Sequence, residues 1–406
     1  MTSLQWPVIA AIAVLLFPAA ALAQREQQAP LPASSSTPSP SPLQSEEPPP
    51  EGATLDRKIH YGAAVLMDYT MFSQDPTNVR QVGVQPSQPE LRAARLVVQG
   101  NITPGMFFYF APNFNGLQVT PPKNQFQIYD LYLGFRTPVG LLQFGQQKET
   151  FIYEMVGLSM NLPQQERVLN PFFQSRALGM KLTNALGKDQ RVTYSMGWYP
   201  LNYDGNQFTG RTTYVPLISK DDSRWLHVGV DYRYLGSANH QLQFSGKPES
   251  NVADNYVNTG KFPANYANEL NYEFVGTTKS FSVTGEYARA WVNAPASLNP
   301  EFFGYYVLGS WVLTGESRPY DRANGYGKRI IPARPSGAWE LVAQFSRDNL
   351  NSGLIHGGMM GVGYAGVNYW RNAYWKFGLG YGITGLTAEN SYGVMKRLQL
   401  RVQWSH

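Results

Sequence analysis

From Arg57 to His406 the chain runs in stretches of roughly ten residues in which apolar and polar or small side chains alternate strictly. In one such stretch, Ile59, Tyr61, Ala63, Val65, Met67 and Tyr69 alternate with His60, Gly62, Ala64, Leu66 and Asp68. In the last, Leu398, Leu400, Val402 and Trp404 alternate with Arg397, Gln399, Arg401, Gln403 and Ser405. A period of two places successive side chains on opposite faces of a strand, so the pattern specifies two-faced β-structure. The one long apolar run is Val8 to Ala23, which excludes a polytopic helical membrane protein.

Which face is wet is decided by the aromatic residues. Trp, Tyr and Phe make up 14% of the chain and recur on the apolar parity. An outward apolar band with aromatic girdles around a polar interior is what a lipid-embedded barrel requires. Its backbone groups have no water to pair with, so the sheet has to close. The expected fold is therefore all-β, a transmembrane antiparallel barrel over residues 57–406.

Seventeen stretches qualify as strands, whereas a barrel with both termini on one side needs an even number. Demoting 239–248 restores the alternation of long outer loops and short inner turns. Sixteen strands remain, with an outer loop over 236–265, a number that leaves an aqueous channel. Two connections are unusual. Glu149 to Ser175 is long and rich in Phe, Met, Leu and Asn, so this third outer loop is expected to fold inward and narrow the pore. Ser317 to Pro335 lies on the normally short side and carries Arg318, Arg322, Lys328, Arg329 and Arg334 against Asp321 alone, a cluster that would attract anions at the inner mouth.

The N-terminal part is of another kind. Residues 1–23 end in Ala21-Leu22-Ala23, a small-x-small site that marks a secretory signal peptide, with a membrane anchor as the alternative. Residues 24–56 are dominated by Pro, Ser, Gln and Glu and are expected to form a disordered linker, or else a Pro-rich ligand for a partner. This acidic stretch leaves residues 57–406 with 32 basic against 23 acidic side chains, a net charge of +9.

Several chemistries are excluded or disfavoured. With no Cys there is no disulfide scaffold, thiol nucleophile or thiolate metal site. The five His lack ligand spacing, and no G-x-S-x-G motif is present. Gly361-Val362-Gly363-Tyr364-Ala365-Gly366 and Gly380-Tyr381-Gly382-Ile383-Thr384-Gly385 match the dinucleotide fingerprint, but neither opens a helix. Their glycines are read as lumenal residues that give room inside the barrel. No cofactor, catalytic residue, metal or nucleic-acid partner is expected.

Several stretches carry a family resemblance: Phe144-Gly145-Gln146-Gln147-Lys148-Glu149-Thr150-Phe151, Glu166-Arg167-Val168-Leu169-Asn170-Pro171-Phe172 and Arg176-Ala177-Leu178-Gly179. Later come Leu313-Thr314-Gly315-Glu316-Ser317-Arg318-Pro319-Tyr320 and Gly337-Ala338-Trp339-Glu340-Leu341. In this order the chain resembles the phosphate-selective porin O and P family of Gram-negative outer membranes. The resemblance implies a sixteen-stranded homotrimeric porin passing phosphate or similar anions, with Lys148, Arg167 and Arg176 as the matched basic positions at the constriction. Two features depart from it: His406 stands where an aromatic residue usually ends such barrels, and basic and acidic residues on the lumenal parity are nearly balanced.

The expected function is passive diffusion of small hydrophilic solutes across the outer membrane, with a preference for anions. Structural ion pairs are the competing role for each basic residue: Arg167 with Glu166 or Glu154, and Lys148 with Glu149. A plugged barrel acting as a structural or interaction protein is the alternative, and a barrel hydrolase a third.

Overall fold

A computed structural model describes residues 59–114, 126–202, 205–237 and 239–406. The expected signal peptide and Pro-rich linker lie outside these residues. The strands, in chain order, are β1 (Ile59–Gln74), β2 (Gln88–Thr103), β3 (Met106–Asn113), β4 (Gln127–Thr137), β5 (Gly140–Gln147), β6 (Ala177–Leu186), β7 (Val192–Asn202), β8 (Gly205–Ile218) and β9 (Arg224–Gly236). Four two-residue strands follow, β10 (Gln241–Leu242), β11 (Ser245–Gly246), β12 (Val257–Asn258) and β13 (Phe262–Pro263). Then come β14 (Tyr266–Thr278), β15 (Phe281–Asn293) and β16 (Glu301–Val312). The short pair β17 (Tyr320–Asp321) and β18 (Tyr326–Gly327) precedes β19 (Ala338–Ser352), β20 (Ile355–Trp370), β21 (Trp375–Ala388) and β22 (Ser391–Ser405).

Among the described residues, β1–β9, β14–β16 and β19–β22 form one closed antiparallel barrel of sixteen strands. The seam joins β1 to β22 over Ala64–Ser405 through Gln74–Met395, and Ala63 and His406 exchange two further backbone bonds. The stretch 239–248 stays out of the wall, as its demotion requires. It supplies β10 and β11, which pair with β13 and β12 inside the 237–265 connection.

Away from the register shifts in β2 and β3, the apolar parity faces outward along the wall. On β1, Tyr61 and Met67 are 66% and 51% exposed, while Ala64, Leu66 and Asp68 on the other parity are buried. On β22, Leu400 faces out and Arg397 and Arg401 face in. At the end that carries the two described chain ends, Trp339 lies tilted against Tyr369 at 4.7 Å and Trp375 stacks on Phe377 at 6.1 Å, part of an aromatic girdle.

The glycines of the two G-x-G-x-x-G runs do not all face the lumen. Gly366, Gly380 and Gly382 do, but Gly361, Gly363 and Gly385 lie on the outward parity. The reason is arithmetic: on a strand of period two, a three-residue step from the second glycine to the third reverses the face.

Three connections fill the interior. The segment after β5 bonds wall residues that point inward, through Ile152 N to Asp231 (2.8 Å) and Tyr153 N to Glu286 (2.8 Å). The stretch 236–265, expected as an outer loop, leaves the wall after Gly236 and folds in as well. Gln344 and Ser346 of β19 both donate to Glu249 at 2.7 Å, and Phe244 packs beside Phe172 and Phe302. From the opposite end enters the connection between β16 and β19, whose Tyr320 and Tyr326 are buried against Tyr153 and Trp225.

Candidate functional site

The loop after β5 is held by buried polar groups rather than by packing alone. Arg233 of β9 bridges Glu149 (3.1 Å) and Glu269 (2.7 Å). Inside the loop, the Glu154 carboxylate accepts from Val168 N (2.7 Å) and Leu169 N (2.8 Å), so it ties the two ends of the loop together. Burial pushes the Glu154 and Glu149 carboxyls up to about 7, against the opposing pull of the Leu169 amide and Arg167 on the first and of Arg233 on the second. Glu166 behaves oppositely. Burial works to raise it, but Arg92 and Arg401 outweigh that and hold it down at about 2.

The expected basic residues fall into three places. Arg176 makes a two-pronged pair with Asp130 at 2.9 and 3.0 Å, and its guanidinium lies 4.5 Å from the centre of the Tyr129 ring. Lys148 and Arg167 both grip backbone carbonyls: Lys148 Nζ donates to Gly157 O (3.2 Å), and Arg167 donates to Glu154 O (2.7 Å) and Gly157 O (3.2 Å). Burial lowers the Arg167 guanidinium to about 10. The structural partner of Arg167 is thus the main chain of Glu154, and the recorded ion-pair partner of Glu149 is Arg233.

The five basic residues of the periplasmic segment do not form one ring. Arg318 pairs with Glu340 at 2.6 Å and donates to Asn161 O at 2.7 Å, which fastens the segment to the wall and to the loop after β5. Arg329 is buried, donates to Ala373 O and Ser405 Oγ, and lies 5.6 Å from the Trp370 ring centre. Arg322 pairs with Asp222 of the β8–β9 turn at 2.6 Å. Lys328 is half-buried and Arg334 is exposed.

Two arginines and one lysine of the wall extend the set. Arg92 makes a two-pronged pair with Glu166 (2.9 and 3.0 Å). Arg95 points the same way, with its guanidinium 4.8 Å from the Tyr129 ring centre and no carboxylate within 4.0 Å among the described residues. Lys181 donates to Lys148 O at 3.1 Å and lines a hollow of about 60 Å³ together with Gln143, Thr150, Thr193, Arg211 and Asn324. Arg92 sits beside a register shift between β1 and β2, which disguises its facing in the sequence. Arg95 and Lys181 carry the lumenal signal plainly.

The geometry is that of a closed transmembrane barrel with an inward loop after its fifth strand and arginines around its polar interior. Residues 59–402 match the family model of phosphate-selective porin O and P. The chain belongs to that family. This porin is accordingly a channel of the Gram-negative outer membrane.

Solved structures agree on the fold. The porin is similar to an anion-selective porin from Comamonas acidovorans (9% identity, 86% of this chain and 100% of that one, TM-score 0.56). It is also similar to the channel DcaP of Acinetobacter baumannii (11%, 86% and 97%, 0.54) and to the trimer form of OmpT from Vibrio cholerae (9%, 86% and 99%, 0.52). No curated protein sequence matches it.

Proposed function

We propose that this porin passes small anions, phosphate among them, through a path that begins at Arg95 and Arg176 beside Tyr129 and continues past Lys148 to Lys181. The observation that carries the reading is Arg95. The neighbouring wall arginines Arg92 and Arg176 each hold a carboxylate, whereas Arg95 has a ring contact and a buried Nε with no partner. A guanidinium placed this way has donors to offer a passing oxyanion, and its planar fork suits phosphate. A sequence of weak contacts favours flux, since one tight site would hold the ion. Arg167, Arg322, Lys328 and Arg334 add positive potential on either side, while Arg318 and Arg329 anchor the periplasmic segment. The assembly that fits is a homotrimer in outer-membrane lipid, with transport and not catalysis as its task.

A second reading has its own support. The loop after β5 and the periplasmic segment meet at Arg318 and Asn161, and while the hollow at Lys181 is about 60 Å³, the one beside this contact, lined by Tyr153, Gln164 and Tyr326, is about 20 Å³. That is room for a water and not for a phosphate ion. In this reading the described state is a closed one. Planar-bilayer recordings separate the two: a reversal potential on the anion side in a KCl gradient, reduced in Arg95→Gln, supports the anion path. A cation-side potential would overturn it, and no stepwise current would favour the plugged barrel.

A further inference from the structure

The lipid-facing surface is charged on one arc. In the extracellular third of β15–β22 the outward parity carries Arg289, Arg347 and Lys396 with one acid, Glu301, which pairs with Arg289. Arg347 and Lys396 have no carboxylate within 4.0 Å among the described residues. Arg347 has one side-chain partner, the Met359 thioether. A cation facing acyl chains is costly, and the cost falls when its charged end reaches an anionic headgroup.

Between these two cations the outward parity of β20 carries the glycines Gly361 and Gly363, whereas β21 carries Ile383 beside Lys396 and the Tyr392 ring of β22 lies over Gly385. Arg347 stands opposite Gly361, which stands opposite Gly385; one level lower, Phe345, Gly363, Ile383 and Lys396 follow one another across β19, β20, β21 and β22. A side chain built at Gly363 would meet nothing within 4 Å, and one at Gly361 would meet only Ser346 O at 3.7 Å. The result is a shallow trough of backbone along β20, with the Arg347 guanidinium on one side and Ile383, Tyr392 and the Lys396 ammonium on the other. Three strand spacings separate them, about 14 Å.

We propose that this face binds a phosphate-bearing lipid of the outer leaflet, with phosphate groups on Arg347 and Lys396 and an acyl chain over Gly361 and Gly363. The charge complementarity selects this occupant over a neutral lipid, and the open floor selects a lipid over a free ion. The site faces away from the lumen, so it stands or falls apart from the anion path.

The test is native mass spectrometry of the detergent-purified protein with diphosphorylated lipid A as probe, beside dephosphorylated lipid A and inorganic phosphate. The wild type is expected to retain the diphosphorylated lipid, with binding about tenfold or more weaker for the dephosphorylated form and for Arg347→Gln/Lys396→Gln, since each lost contact is a charge-assisted bond. Gly363→Phe keeps both charges and fills the floor, and it is expected to weaken binding as well. Arg224→Gln, at the opposite rim, serves as the control and is expected to bind normally. Equal binding by the double variant overturns the proposal, and so does displacement of the lipid by inorganic phosphate at matched concentration. Efficient disulfide cross-linking of Gly363→Cys between two copies overturns it too, because the face would then be a subunit interface.

Discussion

Arg318, on a connection that enters the barrel from the periplasmic end, lies 2.6 Å from Glu340 on β19, and both side chains are buried. Removing one partner of a buried pair leaves an uncompensated charge, at a cost of about 3–5 kcal/mol. Arg318→Met is therefore expected to release the segment and raise single-channel conductance, with a lower melting temperature in detergent. Arg318→Met/Glu340→Met should recover part of the stability while conductance stays high. Unchanged conductance in both variants would show that the segment does not restrict flow.

For the anion path, Arg95→Gln and Arg176→Gln are expected to differ. Arg95→Gln removes a cation that holds no carboxylate, so it should lower anion selectivity with little loss of stability. Arg176→Gln also strands Asp130, so selectivity should fall further while the melting temperature drops. Reversal potentials and thermal scans on the same samples check both. Lys181→Met should reduce current without moving the melting temperature as far as Arg176→Gln does.

The attachment of the loop after β5 should depend on pH. Its Glu154 and Glu149 carboxyls sit near 7 in the folded protein, above their ordinary value of 4.5. A carboxyl raised in this way contributes stability that is fully present below about 4.5 and is lost as pH rises through about 7. Amide protection within 149–175, taken relative to the intrinsic exchange rate at each pH, should therefore be greater at pH 5 than at pH 8. Glu154→Gln should flatten that difference, and an unaltered profile in this variant would assign the dependence elsewhere.

Much of this was legible in the sequence, because a barrel wall is written in parity. The outward set around Tyr61, Leu400 and Trp404 follows from alternation, the count of sixteen from alternation together with the lengths of the connections, and closure from the need to pair backbone groups in lipid. What escaped lies where parity stops or slips. Arg92 sits at an irregularity opposite Leu66 and Met67, and Asp348 lies near the outer end of β19, past the clear apolar alternation of that strand. The inward course of 237–265 had a signal like that of the loop after β5, namely Phe244, Tyr256 and Phe262 in a supposedly solvent-exposed segment. No local pattern could pair Arg318 with Glu340 or Arg233 with Glu149, since those contacts depend on where three insertions come to rest.

Gly304 reports on that seating. A Cβ added there would overlap the Asp348 carboxylate and come within 2.7 Å of Phe172 and 3.1 Å of Leu169, both on the inward loop. Gly304→Ala is expected to push the loop aside, with increased proteolysis within 149–175 and larger current steps. By contrast, Val307→Arg, on the lipid face of the same strand, should cost about 2–4 kcal/mol of folding stability in bilayers and leave conductance alone. Equal effects from both changes would contradict the assignment of faces.

The bond ladder between β1 and β22 has a consequence for biogenesis. Every other wall contact joins neighbours in the chain, but this one waits for the last strand to emerge, so until then the sheet keeps two unsatisfied rims. Sealing is thus an end-stage event, and the nascent porin needs protection from sticking to its own kind for the whole interval before it.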